Sequence, residues 1–114
     1  MAHVKAPKIE RGTVKLRGLD EHGNQTECVA DAFIYGGLAA HRPWNNTTGK
    51  AYRITHIASG KAFANFYGQR AARAALIPLA SFTDWTQPES VILELIKGDK
   101  FGELRELVRS MNGY

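Results

Sequence analysis

The sequence predicts an α+β domain: a small antiparallel sheet of three to five strands, followed by two or three helices packed on one face. Three observations predict it. Apolar residues alternate with period two as far as Phe66. After Gly68 the apolar spacing turns helical and stays so to the end of the chain. Strand-like runs thus precede helix-like runs, an order that belongs to a sheet with helices segregated to one side rather than to alternating βαβ units. A chain of 114 residues with 44% hydrophobic and 23% charged residues is long and apolar enough for one core without cross-links.

The elements follow in order. Residues 1–8 read as a loose basic tail, and residues 9–114 as a single domain. Residues 13–17 alternate, with Val14 and Leu16 on one face and Lys15 and Arg17 on the other, which is the pattern of a half-buried strand. Residues 20–25 contain His22-Gly23-Asn24 and form a turn, because Gly and Asn tolerate positive φ. Residues 27–35 make a second strand with Cys28, Ala30, Ala32 and Ile34 on one face. Gly36-Gly37 interrupts it with a bulge or bend, beyond which residues 38–42 continue the strand. Residues 43–50 are a polar loop whose one large apolar group is Trp44. Residues 52–57 and 61–66 flank Ala58-Ser59-Gly60 and read as a hairpin.

An Ala-rich helix covers residues 68–77, with Ala72, Ala75, Leu76 and Leu79 at helical spacing. Pro78 ends or kinks it near Ile77, since proline lacks an N–H and its ring crowds the preceding turn. Thr86-Gln87-Pro88-Glu89 fits a capping box that opens a helix with Val91, Ile92, Leu95 and Ile96 on its apolar face and Gly98 as its stop. Asp99 caps a last helix carrying Phe101, Leu104, Leu107, Val108 and Met111 on one face, with Gly113 as its stop.

With Cys28 as the one cysteine, an intramolecular disulfide framework is excluded. No apolar run approaches the ~18 residues that span a bilayer. Residues 1–12 are basic and polar without an apolar stretch, so no secretory signal is read there and the expected location is the cytoplasm. No membrane partner is expected.

The placement of charge is more informative than its sum of +4. Residues 1–31 hold five basic and five acidic side chains. Residues 32–83 hold no acidic residue, but contain Arg42, Lys50, Arg53, Lys61, Arg70 and Arg73. Residues 84–114 hold four basic and six acidic side chains. A basic middle between neutral and acidic ends points to a polyanion-facing or acidic-partner-facing surface.

Catalytic and metal-binding patterns are weak by comparison. Cys28, His41 or His56, and Asp31 supply the residue types of a thiol triad. Cys28 lies in a small apolar alternation, however, where cysteine acts as an inert hydrophobe. The four histidines and Cys28 lack the paired spacing of a zinc site, and no cofactor is expected. Thr48-Gly49-Lys50-Ala51 lacks the upstream glycine and following hydroxyl of a phosphate loop and reads as a turn. Glu103 and Glu106 have basic neighbours and read as a solvated helix surface. No enzyme activity is therefore expected.

Aromatic residues are interleaved with the basic ones: Trp44, Tyr52, Phe63, Phe66 and Tyr67 all lie in the acid-free stretch. Cationic side chains neutralise phosphates and exposed rings stack on bases, so the expected function is a binding module for DNA or RNA. Its expected contact residues are Arg42, Trp44, Lys50, Arg53, Lys61, Arg70 and Arg73.

The run Tyr52-Arg-Ile-Thr-His-Ile-Ala-Ser-Gly-Lys-Ala-Phe63, the Ala-rich helix and Asp84-Trp85 together resemble small uncharacterised proteins of phage and prophage accessory regions. The resemblance covers about a third of the chain and assigns no functional residue. It implies a mobile-element setting, in which the alternative function is inhibition or regulation of a host defence or regulatory complex by protein–protein binding. The partner would then be a host protein complex or another acidic protein surface, with Trp44 and the last two helices as its contact surface. An oligomer using the C-terminal helices is a further alternative.

Overall fold

The computed structural model describes residues 8–19, 22–43, 50–98 and 102–113. The proposed tail residues 1–7, Trp44, Asp99 and Phe101 lie outside that set. Five strands form one antiparallel sheet in the order β1-β2-β3-β4-β5: β1 is Glu10–Leu19, β2 Gln25–Tyr35, β3 Leu38–His41, β4 Ala51–His56 and β5 Lys61–Tyr67. Three helices follow, α1 over Gln69–Ala80, α2 over Glu89–Gly98 and α3 over Glu103–Ser110. The architecture is α+β, strands first and helices after, with α1 packed on the sheet.

Pleat parity explains how the sheet carries two cores. Phe33, Leu38, Ala40, Ile54, Ala64 and Phe66 share the face under α1, where Ala72, Ala75, Leu76 and Leu79 meet them. Small residues on both sides of that contact let the helix approach closely. Burying Leu38, Ile54, Phe66, Leu76 and Leu79 contributes ~1.5–3 kcal/mol per side chain. Ile92 of α2 and Leu104 and Val108 of α3 complete the same cluster. On the opposite face Val14, Leu16, Ala32 and Ala39 form a second cluster, partly backed by Cys28, Ala30 and Ile34.

Gly36-Gly37, read in sequence as a bulge or bend within one strand, is a tight turn between two. Both residues have positive φ, 58° and 84°, the geometry of a type I′ hairpin turn. Residues 38–41 therefore fold back against β2 as a strand of their own, with Tyr35 opposite Leu38. A bulge does occur in β4–β5: Ile54 faces Ala64 while Thr55 faces Ala62. The intervening Phe63 stacks on Trp85, with ring centroids 5.1 Å apart.

Two helix boundaries also differ from the expected ones. α1 does not stop at Ile77 but continues through Pro78 to Ala80. The missing proline N–H removes one bond in the last turn only. That turn is held by burial of Leu79 and by the Ser81 N–H, which donates to the Ile77 carbonyl at 3.3 Å. The capping box at Thr86 is not formed either. The Thr86 hydroxyl and N–H both donate to Asp84 Oδ1, and α2 instead starts after Pro88, whose carbonyl accepts from the Ile92 N–H.

Candidate nucleic-acid interface

β2 is longer than its neighbour β3, and this step in the sheet creates a cleft. β3 ends at His41, opposite Ala32. Residues 25–31 of β2 therefore pair with β1 but with no strand on their other side among the described residues. β4 also runs past the end of β3, at Ala51 and Tyr52. The resulting recess has a volume of about 640 Å³. Residues 28–33 of β2 line one side, Tyr52 and Gln69 the other, and Arg42-Pro43 the point where the chain leaves β3.

Arginines gather around this recess on aromatic supports. The Arg42 guanidinium lies 5.5 Å from the Tyr52 ring centroid, and the Tyr52 hydroxyl donates to Gln69 Oε1 at 3.5 Å. Arg11 lies opposite Phe33 in the β1–β2 register, and its guanidinium is 5.3 Å from the Phe33 ring. Arg73 reaches the same ring from α1, at 5.4 Å. Each such cation–π contact contributes ~0.5–1 kcal/mol at an exposed site and limits the wandering of a long side chain. A second depression of about 470 Å³ is lined by Ile9, Gln69, Arg70, Arg73 and Ala74, so Gln69 borders both. Lys50 is exposed at this end too, its carbonyl accepting from the Gly68 N–H at 2.6 Å just before α1. The first turn of α1 contains no acidic residue to offset the positive end of the helix dipole.

The structure thus brings together Arg42, Lys50, Arg70 and Arg73 and separates the remaining expected contacts. Arg53 lies on the opposite face of the sheet, where its Nε–H donates to Asn65 Oδ1 at 3.4 Å. Lys61 pairs with His56 at the turn end of the β4–β5 hairpin, away from the α1 end. Trp44 lies outside the described residues. Charge arithmetic along the chain overlooks Arg11, which follows Glu10 in a segment of zero net charge. Its neighbour Glu10 points to the other face because adjacent strand residues alternate sides. The cleft also contains a carboxylate, Asp31, whereas no glutamate of α2 or α3 lines either depression.

The residue types of a thiol triad do not meet. Cys28 and Asp31 point to opposite faces of β2. His41 shares the face of Cys28, but its strand partner Ala32 is four residues farther on, about 13 Å along the strand. His41 is 1% exposed and fully committed. Its Nδ1–H donates to the Arg42 carbonyl at 2.8 Å, and its Nε2 accepts from the Thr55 hydroxyl at 2.6 Å. Burial holds its pKa below the usual histidine value, and the nearby Arg53 adds to that, against the opposing hydrogen bond to Arg42.

His56 is bound similarly. Its Nε2–H donates to the Trp85 carbonyl and its Nδ1 accepts from the Ser59 hydroxyl, both at 2.8 Å. This is formally a serine–base pair, but neither residue lines either cleft. The Ser59 oxygen also accepts from the Lys61 N–H at 3.2 Å, which makes the pair a brace across the hairpin turn. Among the described residues no three metal-ligating side chains gather, and no helix is long and apolar enough to cross a membrane. No family model matches the chain, and no curated protein and no solved structure matches it either.

Proposed function

We propose that the protein is a non-catalytic binding module for a polyanion, most simply DNA or RNA. The observation that carries this reading is the placement of Arg11 and Arg42 on one depression and Arg70 and Arg73 on the next, which share Gln69, with exposed Lys50 beside the start of α1. Those residues come from β1, the end of β3, the start of β4 and α1, so the fold assembles what the linear sequence disperses. Phosphate oxygens suit guanidinium forks, which offer paired donors in a fixed plane. If all five cations engage phosphates of a single strand, log K falls with log salt with a slope of about −3.5. Titrating fluorescently labelled duplexes and single strands at low and moderate salt tests this. Salt-sensitive binding is expected, and no binding at low salt overturns the reading.

A second reading, protein–protein binding to a host complex, is favoured by a different observation. The β2 edge beside Val29 and Asp31 has no strand partner among the described residues, and Val29 is 63% exposed. Such an edge accepts an added strand from another protein. Affinity purification from a nuclease-treated host lysate separates the two readings. A stoichiometric protein partner that survives nuclease supports the second, and a partner lost on nuclease treatment supports the first.

A further inference from the structure

We infer that the cleft takes a single strand rather than a duplex, and that Asp31 selects bases bearing an amino group. This deepens the nucleic-acid reading and rests on it. The cations line and rim a recess instead of crowning a ridge. To read a duplex, a protein must insert a protruding helix or ribbon into a groove ~12 Å wide, whereas an unpaired base can enter a recess. The guanidiniums of Arg11, Arg42 and Arg73 lie 5.3–5.5 Å from the Phe33 and Tyr52 rings, which holds these cations beside the cleft where a strand's phosphates would run.

Asp31 is the one carboxylate among the described residues lining this recess, which it shares with Arg11 and Arg42. It is exposed, shares its face with Phe33 two residues along β2, and stands opposite Thr13 rather than a base. Among the described residues it has no ion-pair partner. A carboxylate repels phosphate, so a bound strand must turn its backbone to the arginines and present base edges to Asp31. An ionised carboxylate only accepts hydrogen bonds. Cytosine N4, adenine N6 and guanine N2 carry the amino donors that it needs, while thymine and uracil offer only an imino N3–H flanked by two carbonyl oxygens that repel a carboxylate.

The test compares oligo-dC, oligo-dT and a duplex by fluorescence anisotropy at one salt concentration, using the full chain. The two pyrimidines have similar stacking surfaces and identical backbones, which isolates the base edge. Oligo-dC is expected to bind about tenfold more tightly than oligo-dT, one good charge-assisted contact, and more tightly than the duplex. In Asp31→Ala the dC/dT ratio is expected to fall to about one. In Arg42→Ala both affinities drop and the ratio persists. Asp31→Ser, checked by thermal melting, repeats the test in a variant that keeps a polar side chain at the exposed position. Salt-sensitive binding of both strands with equal affinity, or a ratio unchanged in Asp31→Ala, overturns the inference and leaves polyanion binding intact. Failure of every oligonucleotide to bind at low salt overturns both.

Discussion

His41 illustrates how a single residue couples burial to pH. Its imidazole is held neutral, because its one ring N–H is spent on the Arg42 carbonyl and its other nitrogen accepts from Thr55. With its pKa lowered by burial, the unfolded chain binds a proton at a pH where the folded chain does not. Stability therefore rises with pH through this window and is lost as pH falls from about 6.5 toward the lowered value. The urea midpoint is expected to drop as pH falls below about 6.5, before the carboxylates titrate. In His41→Asn, less stable throughout, that portion of the slope should vanish. A slope that persists would place the sensitive group elsewhere. Arg11 marks the limit of residue-level reading. It lies in a segment, residues 1–31, whose charges sum to zero, and only the register, which pairs it with Phe33, brings it to the cleft.

Among the elements, the strands were legible wherever one face is apolar and the other is not, since period two is then forced. β1 and β2 run longer than that signal, because cross-strand pairing extends through residues whose own pattern is mixed. β3 reads in sequence as a continuation of β2, because four residues buried on both faces carry no alternation and a glycine pair serves equally for a bulge, a bend or a turn. The turn makes a sharp prediction. A methyl on Gly36 has to adopt φ of 58° and would meet the Ala80 Cβ at 2.7 Å, whereas Gly60 has φ of 70° with nothing within 4 Å. Gly60→Ala is expected to cost ~1 kcal/mol from the left-handed conformation alone, and Gly36→Ala ~2–3 kcal/mol because α1 must also yield. Denaturant midpoints rank the two variants. Equal losses would mean that the hairpin turn does not press on the helix. Phe66→Ala, at the centre of the sheet–helix contact, is expected to cost ~3–5 kcal/mol.

At the scale of the molecule, charge segregation along the chain translates only in part into segregation in space. Of the six basic residues in the acid-free stretch, four converge and two do not, because β-strand parity sends Arg53 to the far face and hairpin length sends Lys61 to the far end. The central claim is that position, not net charge, governs binding. Two double variants of equal charge test it most directly: Arg42→Ala/Arg73→Ala at the cleft and Arg53→Ala/Lys61→Ala away from it. Their dissociation constants for a labelled single strand are measured across a salt series. The cleft pair is expected to weaken binding at least about tenfold and to flatten the salt slope by about 1.4, with the distant pair within about twofold of the parent protein. Equal losses from both pairs, or a parent chain that does not bind, would contradict the account.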